Sequence, residues 1–133
     1  MRFRIWIYKY IRLRNFVIII ASIVLQGCVS SDILVIMDNH PEPLKGMATA
    51  TLMSGTFYAE DSKGLLCSGV YDSRNADPKL HVSFRCSDSR SGNASIERYG
   101  EYLKNGYGQG ILNDGTIIHI YLGFEIERGK ANH

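Results

Sequence analysis

The sequence predicts an all-β protein, a small antiparallel β-barrel or sandwich of about six or seven strands after an N-terminal signal helix. Three observations predict it. Apolar and polar residues alternate with a period of two over residues 80–87, turn residues recur about every ten positions, and no segment after Cys28 has the apolar repeat of a helix. Strands of this length and spacing are typical of one small barrel or sandwich.

The first 27 residues have the composition of an export signal. Five basic residues and no acidic residue precede the apolar run at positions 16–25, and Gly27 stands just before Cys28. A signal peptide consists of a basic segment, an apolar run of about ten residues and a small residue just before the cleavage site. One alternative is a transmembrane anchor, although the run is about half the ~20 residues that a spanning helix needs. The other is a signal that is cleaved without lipidation.

The residues Leu25-Gln26-Gly27-Cys28 resemble the lipobox of bacterial lipoproteins. The resemblance implies that the signal is removed before Cys28, that Cys28 is lipidated, and that it anchors the mature protein to a membrane. Gln26 departs from the family pattern, in which a small residue is usual. Val29 follows Cys28, whereas similar proteins of the inner membrane in enteric bacteria usually carry Asp there. We therefore expect lipid anchoring at the outer membrane, facing the periplasm.

The chain after the signal has the length of one small domain. We expect residues 1–27 to be the lipoprotein signal peptide, 28–46 the lipidated Cys28 and a tether, 47–124 the β domain, and 125–133 a charged, frayed tail. Within the tether, the apolar run at residues 33–37 is either a first strand or part of the tether, and we favour the strand.

Charge argues against a nucleic-acid partner. Five of the 15 basic residues and none of the 13 acidic residues precede Cys28, so the rest of the chain carries 10 basic and 13 acidic residues, a net charge of −3. A slightly acidic domain without a basic cluster lacks the electrostatic footprint of a nucleic-acid-binding protein.

The other two cysteines, Cys67 and Cys86, predict a structural disulfide. If Cys28 carries lipid, these two remain as a pair in an oxidising compartment. Cys86 falls on the apolar face of the alternating segment, and Cys67 shares its face with Gly69 and Tyr71. The bridge would close a loop of about 20 residues. A metal site and a redox dithiol are the alternatives, but the C-x-x-C spacing and histidine cluster that they need are missing.

A hairpin is predicted near the end of the chain, where Asp114-Gly115 separates two apolar runs. A two-residue loop would place Gly110 opposite His119. A three-residue loop that ends at Gly115 would shift this register by one residue. The sequence leaves both registers open.

The sequence contains no motif for catalysis, a cofactor or a metal. The four histidines have no ligand spacing, and the acidic residues are scattered singly. The segment Tyr107-Gly108-Gln109-Gly110 lacks the context of a phosphate loop, and no serine lies in a G-x-S-x-G motif. We therefore expect a non-enzymatic protein without cofactor or metal.

The polar segment at residues 87–93 is the candidate partner-binding loop, with Ser89, Arg90, Ser91 and Gly92 at its centre. Together with Tyr99 it resembles the S-x-S-G-x-x-Y segment of the membrane-bound C-type lysozyme inhibitors, which are lipoproteins of this size with a small β-barrel and a disulfide. The resemblance implies that Ser89 is the first serine of that segment. Arg90 stands where a small residue is usual, and Tyr99 is displaced from the expected spacing.

More broadly, the segments C-S-G, V-S-F-R-C and G-x-G-I-L-x-D-G resemble uncharacterised small proteobacterial lipoproteins, which implies no function. We expect a membrane-anchored envelope lipoprotein that binds a protein or another envelope component. The alternative is a periplasmic inhibitor of lysozyme or a related cell-wall hydrolase, and the third possibility is a small enzyme with an unrecognised site. Six tyrosines after Cys28 fit a binding surface, but they fit half-buried strands as well.

Overall fold

The structure is a computed structural model that describes residues 27–133, so most of the predicted signal peptide, residues 1–26, lies outside the described residues. Eight antiparallel strands lie beside one another in chain order, and the last pairs with the first to close a barrel. The predicted fold class is confirmed, as a barrel of eight strands. The strands are β1 (Val29–Met37), β2 (Leu44–Ala50), β3 (Gly55–Glu60), β4 (Leu66–Tyr71), β5 (Lys79–Cys86), β6 (Ser91–Tyr99), β7 (Asn105–Leu112) and β8 (Ile117–Leu122).

The core of the barrel is formed by every second side chain of each strand. On β5 the side chains of Leu80, Val82, Phe84 and Cys86 are buried inside, and those between them are exposed. Successive side chains of a strand point to opposite faces, so one face of each strand lines the interior. An eight-stranded barrel has an interior that side chains just fill, or that holds one small ligand.

The barrel begins at Val29, within the segment predicted as a tether, rather than at residue 47. β1 pairs with β2 on one side and with β8 on the other, so the apolar run at residues 33–37 is a strand. Ile33 and Val35 point into the barrel, while Leu34 is buried on the outside beside Tyr121. A strand that is buried on both faces has a continuous apolar run instead of alternation.

The end of the chain is ordered, in contrast to the expected frayed tail. A helix, α1 (Ile126–Ala131), packs against the outside of β1 and β8. Its buried residue is Gly129, and a Cβ at this position would lie 2.7 Å from the ring of Tyr121. The helix can therefore approach the barrel because glycine stands at the contact. Within residues 27–133, no helix has the length and apolar character needed to cross a membrane.

The terminal hairpin has the three-residue loop. Gln109 pairs with His119 across β7 and β8, and the backbone N–H of Leu112 donates to the carbonyl oxygen of Thr116 at 2.9 Å. Gly115 ends the loop with a φ of +87°, a backbone conformation that favours glycine. Gly110 consequently lies opposite Ile118 and not opposite His119.

Cys67 and Cys86 are at disulfide distance, as the sequence predicts. They lie directly opposite each other on the adjacent strands β4 and β5, and both are buried inside the barrel. The bridge therefore joins two neighbouring strands through the core.

Candidate functional site

The two ends of the barrel differ. At the filled end, Leu44 and Leu112 are fully or almost fully buried. At the open end, a cavity enters the interior beside the start of β1. The open end carries Val29 and the connections at residues 51–54, 72–78 and 100–104, and the filled end carries the turns at residues 38–43, 61–65, 87–90 and 113–116.

The cavity has a volume of about 460 Å³ and a mostly apolar wall. This volume lies within the range of small-molecule sites, which are concave, predominantly apolar and equipped with a few polar groups. The wall is built from inward-facing side chains of most strands. It includes Ile33, Phe57, Val82, Phe84, Ile96 and Ile120.

The cavity exists because some inward positions carry little side-chain volume. The inward residues of β2 beyond Leu44 are Gly46, Ala48 and Ala50, and the last two line the cavity. An eight-stranded barrel is just filled when its inward residues are of ordinary size. Small residues along one strand therefore leave part of the interior empty.

Arg98 is the inward charged residue at the open end. It follows Ala94 and Ile96 on the inner face of β6 and lines the cavity. Its Nη2 donates hydrogen bonds to the carbonyl oxygens of Asn75, at 3.0 Å, and Asp77, at 2.6 Å. Its Nε is buried and has no hydrogen-bond partner in the described chain. Burial lowers the pKa of Arg98, and the nearby Tyr71 and Asp77 oppose this shift.

Aromatic residues lie beside Arg98 at the mouth of the cavity. Tyr71 is inward on β4 and stacks over the bare backbone of Gly55, while its ring centroid lies 6.3 Å from that of Phe57. Burial raises the pKa of Tyr71, and the positive charge of Arg98 opposes this rise. The mouth therefore combines apolar ring surface with a cation.

Among residues 27–133, the charged residues that line the cavity are all positive. They are Arg74, Arg98 and Lys104. Asp72 pairs with Arg74 at 3.2 Å and offsets that charge. The balance of charge at the mouth therefore favours an anion over a cation.

Four large apolar side chains protrude at the open end and form what we call the apolar rim. Leu52 is 78% exposed, Met53 77%, Tyr102 71% and Phe124 79%. Leu52 and Tyr102 also line the cavity, so apolar side chains stand on two sides of its mouth. Cys28 is exposed and lies one residue before β1, at the same end.

The predicted partner-binding segment is split by the structure. Ser89 and Arg90 lie in the turn at the filled end, whereas Ser91 and Gly92 belong to β6. Ser89 has a φ of +72°. Arg90 is held by two carboxylates, since its Nε lies 2.8 Å from Asp88 and its Nη1 lies 3.2 Å from Asp114. This turn lies at the opposite end of the barrel from the mouth of the cavity.

Sequence reasoning missed a serine–histidine pair. The Oγ of Ser95 lies 2.7 Å from Nδ1 of His81 on the outer face, where the two residues are cross-strand partners. Within the described residues, no carboxylate binds the other ring nitrogen of His81, so the pair lacks the orienting group of a catalytic triad. The hydrogen bond links β5 and β6 on their outer face. Among residues 27–133, no group of three or more His, Cys, Asp and Glu side chains is arranged to hold a metal ion.

Sequence reasoning also missed the cavity and Arg98. The alternation of Gly46, Ala48 and Ala50 with larger residues was a usable signal, because it predicts a strand with a small inner face. Comparisons with known proteins add no further assignment. The chain has no significant similarity to a protein-family model, a curated protein or a solved structure.

Proposed function

We propose that the protein is a membrane-anchored, non-enzymatic envelope lipoprotein whose barrel binds an apolar envelope component. The observation that carries this proposal is the cavity of about 460 Å³, which is apolar along its wall and open at one end. An acyl chain gains about 0.8 kcal/mol for each buried CH₂ group. A cavity of this kind therefore favours a ligand with a hydrocarbon chain.

The open end supports the proposed anchoring. A lipid on Cys28 would hold this end of the barrel at the membrane, because Cys28 directly precedes Val29, the first residue of β1. The apolar rim lies at the same end, and such side chains gain free energy when they enter the interface of a bilayer. The mouth of the cavity would then face the acyl chains from which a ligand enters. The proposed location is the periplasmic side of the outer membrane, which the residue after Cys28, Val29, supports.

The test is photolabelling of the full chain in lipid vesicles with hexadecanol that carries a diazirine on its chain. Wild-type protein is expected to be labelled on peptides that contain inward residues such as Ile96. The variant Ala48→Phe fills the cavity and is expected to lose this labelling. The matched control Met47→Phe changes the neighbouring outward residue and should keep it. Labelling confined to the outer face would overturn the proposal.

The filled end supports a second candidate function, inhibition of lysozyme or a related cell-wall hydrolase. The turn with Ser89 is fixed by the two ion pairs of Arg90 and lies opposite the proposed anchor. Such a turn would project away from the membrane. The test is a lysozyme inhibition assay with wild type and the double variant Ser89→Ala, Arg90→Ala. Loss of inhibition in the variant supports this function, and no inhibition by wild type rejects it.

A further inference from the structure

We propose that the ligand of the cavity is a single-chain amphiphile with an anionic head group, bound with its chain inside the barrel and its head beside Arg98. This inference rests on the proposed function, because the chain occupies the same cavity. It adds the chemical class of the head group and the residue that selects it.

Arg98 places a fixed positive charge at the mouth of the cavity. Nη2 is bound to the carbonyl oxygens of Asn75 and Asp77, and these bonds fix the guanidinium at the mouth. Both acceptors are neutral carbonyl oxygens, so the guanidinium keeps its positive charge beside the cavity that Arg98 lines. A carboxylate or phosphate oxygen is the acceptor that arginine binds best.

The inner face of β6 becomes more apolar from the mouth of the cavity inward. Arg98 lies at the mouth, and the inward residues deeper on the same strand are Ile96 and Ala94. A molecule that enters with its hydrocarbon end first therefore meets apolar walls inside and a cation at the entrance. A neutral hydrocarbon would place no anion beside the positive charge of Arg98.

The size and the charge of the cavity both fit a single chain with an anionic head. The volume of about 460 Å³ lies in the lower half of the range for small-ligand sites, which fits one chain better than two. Lys104 lines the same mouth, and none of the described lining residues is acidic. Both charges attract an anionic head. A fatty-acid carboxylate and the phosphate of a lysophospholipid share this chemistry.

The experiment compares two photoreactive probes with the same diazirine-bearing hexadecyl chain, a carboxylic acid and an alcohol. The full chain is reconstituted in vesicles at a pH at which the acid is ionised. Wild type is expected to be labelled by the acid about tenfold more efficiently than by the alcohol, the size expected for one charge-assisted hydrogen bond. In the variant Arg98→Gln the two probes should label equally. Arg85→Gln removes an exposed arginine on the outer face of β5 and should behave as wild type.

Competition then distinguishes the two sources of the head group. Palmitate that displaces the acid probe identifies a carboxylate ligand, and lysophosphatidylglycerol that displaces it better identifies a phosphate ligand. Equal labelling of wild type by acid and alcohol would overturn the inference and leave the proposed function intact. Absence of cavity labelling by either probe would reject both. Because the acid-to-alcohol ratio is measured on wild type, this result does not depend on the folding of Arg98→Gln.

Discussion

Replacing both Cys67 and Cys86 with alanine is expected to lower the free energy of unfolding by about 3 kcal/mol. The two cysteines are 19 residues apart in sequence. A crosslink that closes a loop of this length removes roughly 11 cal/mol/K of entropy from the unfolded chain, or about 3 kcal/mol at 25 °C. Domains have free energies of unfolding of about 5–15 kcal/mol. The variant should therefore fold but be clearly less stable.

The assay is urea unfolding followed by circular dichroism, for oxidised wild type, reduced wild type and the double variant. Reduced wild type and the variant are expected to lose a similar free energy relative to the oxidised protein. Reductant added to the double variant controls for effects of the reductant other than cleavage of the disulfide. It should not change the free energy of unfolding of the variant. A loss below about 1 kcal/mol would refute the reasoning, because it would show that the bridge does not restrict the unfolded chain.

Three further changes test other parts of the fold. Asp61→Asn is expected to lower the urea midpoint at pH 7. The difference in midpoint between wild type and this variant should narrow as the pH falls below about 4. Burial raises the pKa of Asp61, but hydrogen bonds from the Leu65 backbone and from His40 outweigh burial, so the pKa is lowered. Wild type therefore loses this stabilisation when the carboxylate is protonated. A difference in urea midpoint between wild type and variant that does not depend on pH would contradict this. Gly108→Ala is expected to lower the free energy of unfolding by about 1–3 kcal/mol, because the new Cβ would lie 2.5 Å from the carbonyl oxygen of Ser95. Gln109→Ala changes an exposed neighbour and is the control. An equal loss of stability in the two variants would argue against the predicted clash. Gly129→Val is expected to detach α1 from the barrel, because the new side chain would meet the ring of Tyr121. Detachment would be measured as faster amide exchange at residues 126–131. Unchanged exchange there would show that close packing on Tyr121 is not needed to hold the helix.

The strands that alternate between core and solvent were predictable from the sequence. β5 is the clearest case, since Leu80, Val82, Phe84 and Cys86 are buried and each residue between them is exposed. The positions of Cys67 and Cys86 on the inner faces of their strands were predictable from the same period of two. These features depend on local alternation, which a single sequence records.

Features that depend on contacts between distant segments were harder to predict. Leu34 is outward on β1 but is buried because the chain end packs over this side of the barrel, so β1 lacks alternation. α1 contributes one buried residue, Gly129, and a single glycine gives no periodic signal. The register of the last hairpin followed from the backbone conformation of Gly115, which the sequence Asp-Gly leaves open.

The candidate site was the least predictable part. The small inner face of β2 was predictable, but the cavity that it leaves was not, because the empty volume depends on all inward side chains of eight strands together. Arg98 looks like an ordinary surface arginine in the sequence. Its position at the mouth follows from the inward phase of β6 and from the carbonyl groups of the loop at residues 72–78.

The most direct test of the central claim is a methyl NMR experiment on the full chain in small lipid nanodiscs. Isoleucine methyl groups are labelled, and a fatty acid with a nitroxide near the end of its chain is added. Ile96 and Ile120 face the cavity, whereas Ile111 lies on the outer face and is half exposed. We expect strong broadening of the Ile96 and Ile120 signals and little broadening at Ile111. Equal broadening of all three, or broadening of Ile111 alone, would contradict a ligand inside the barrel.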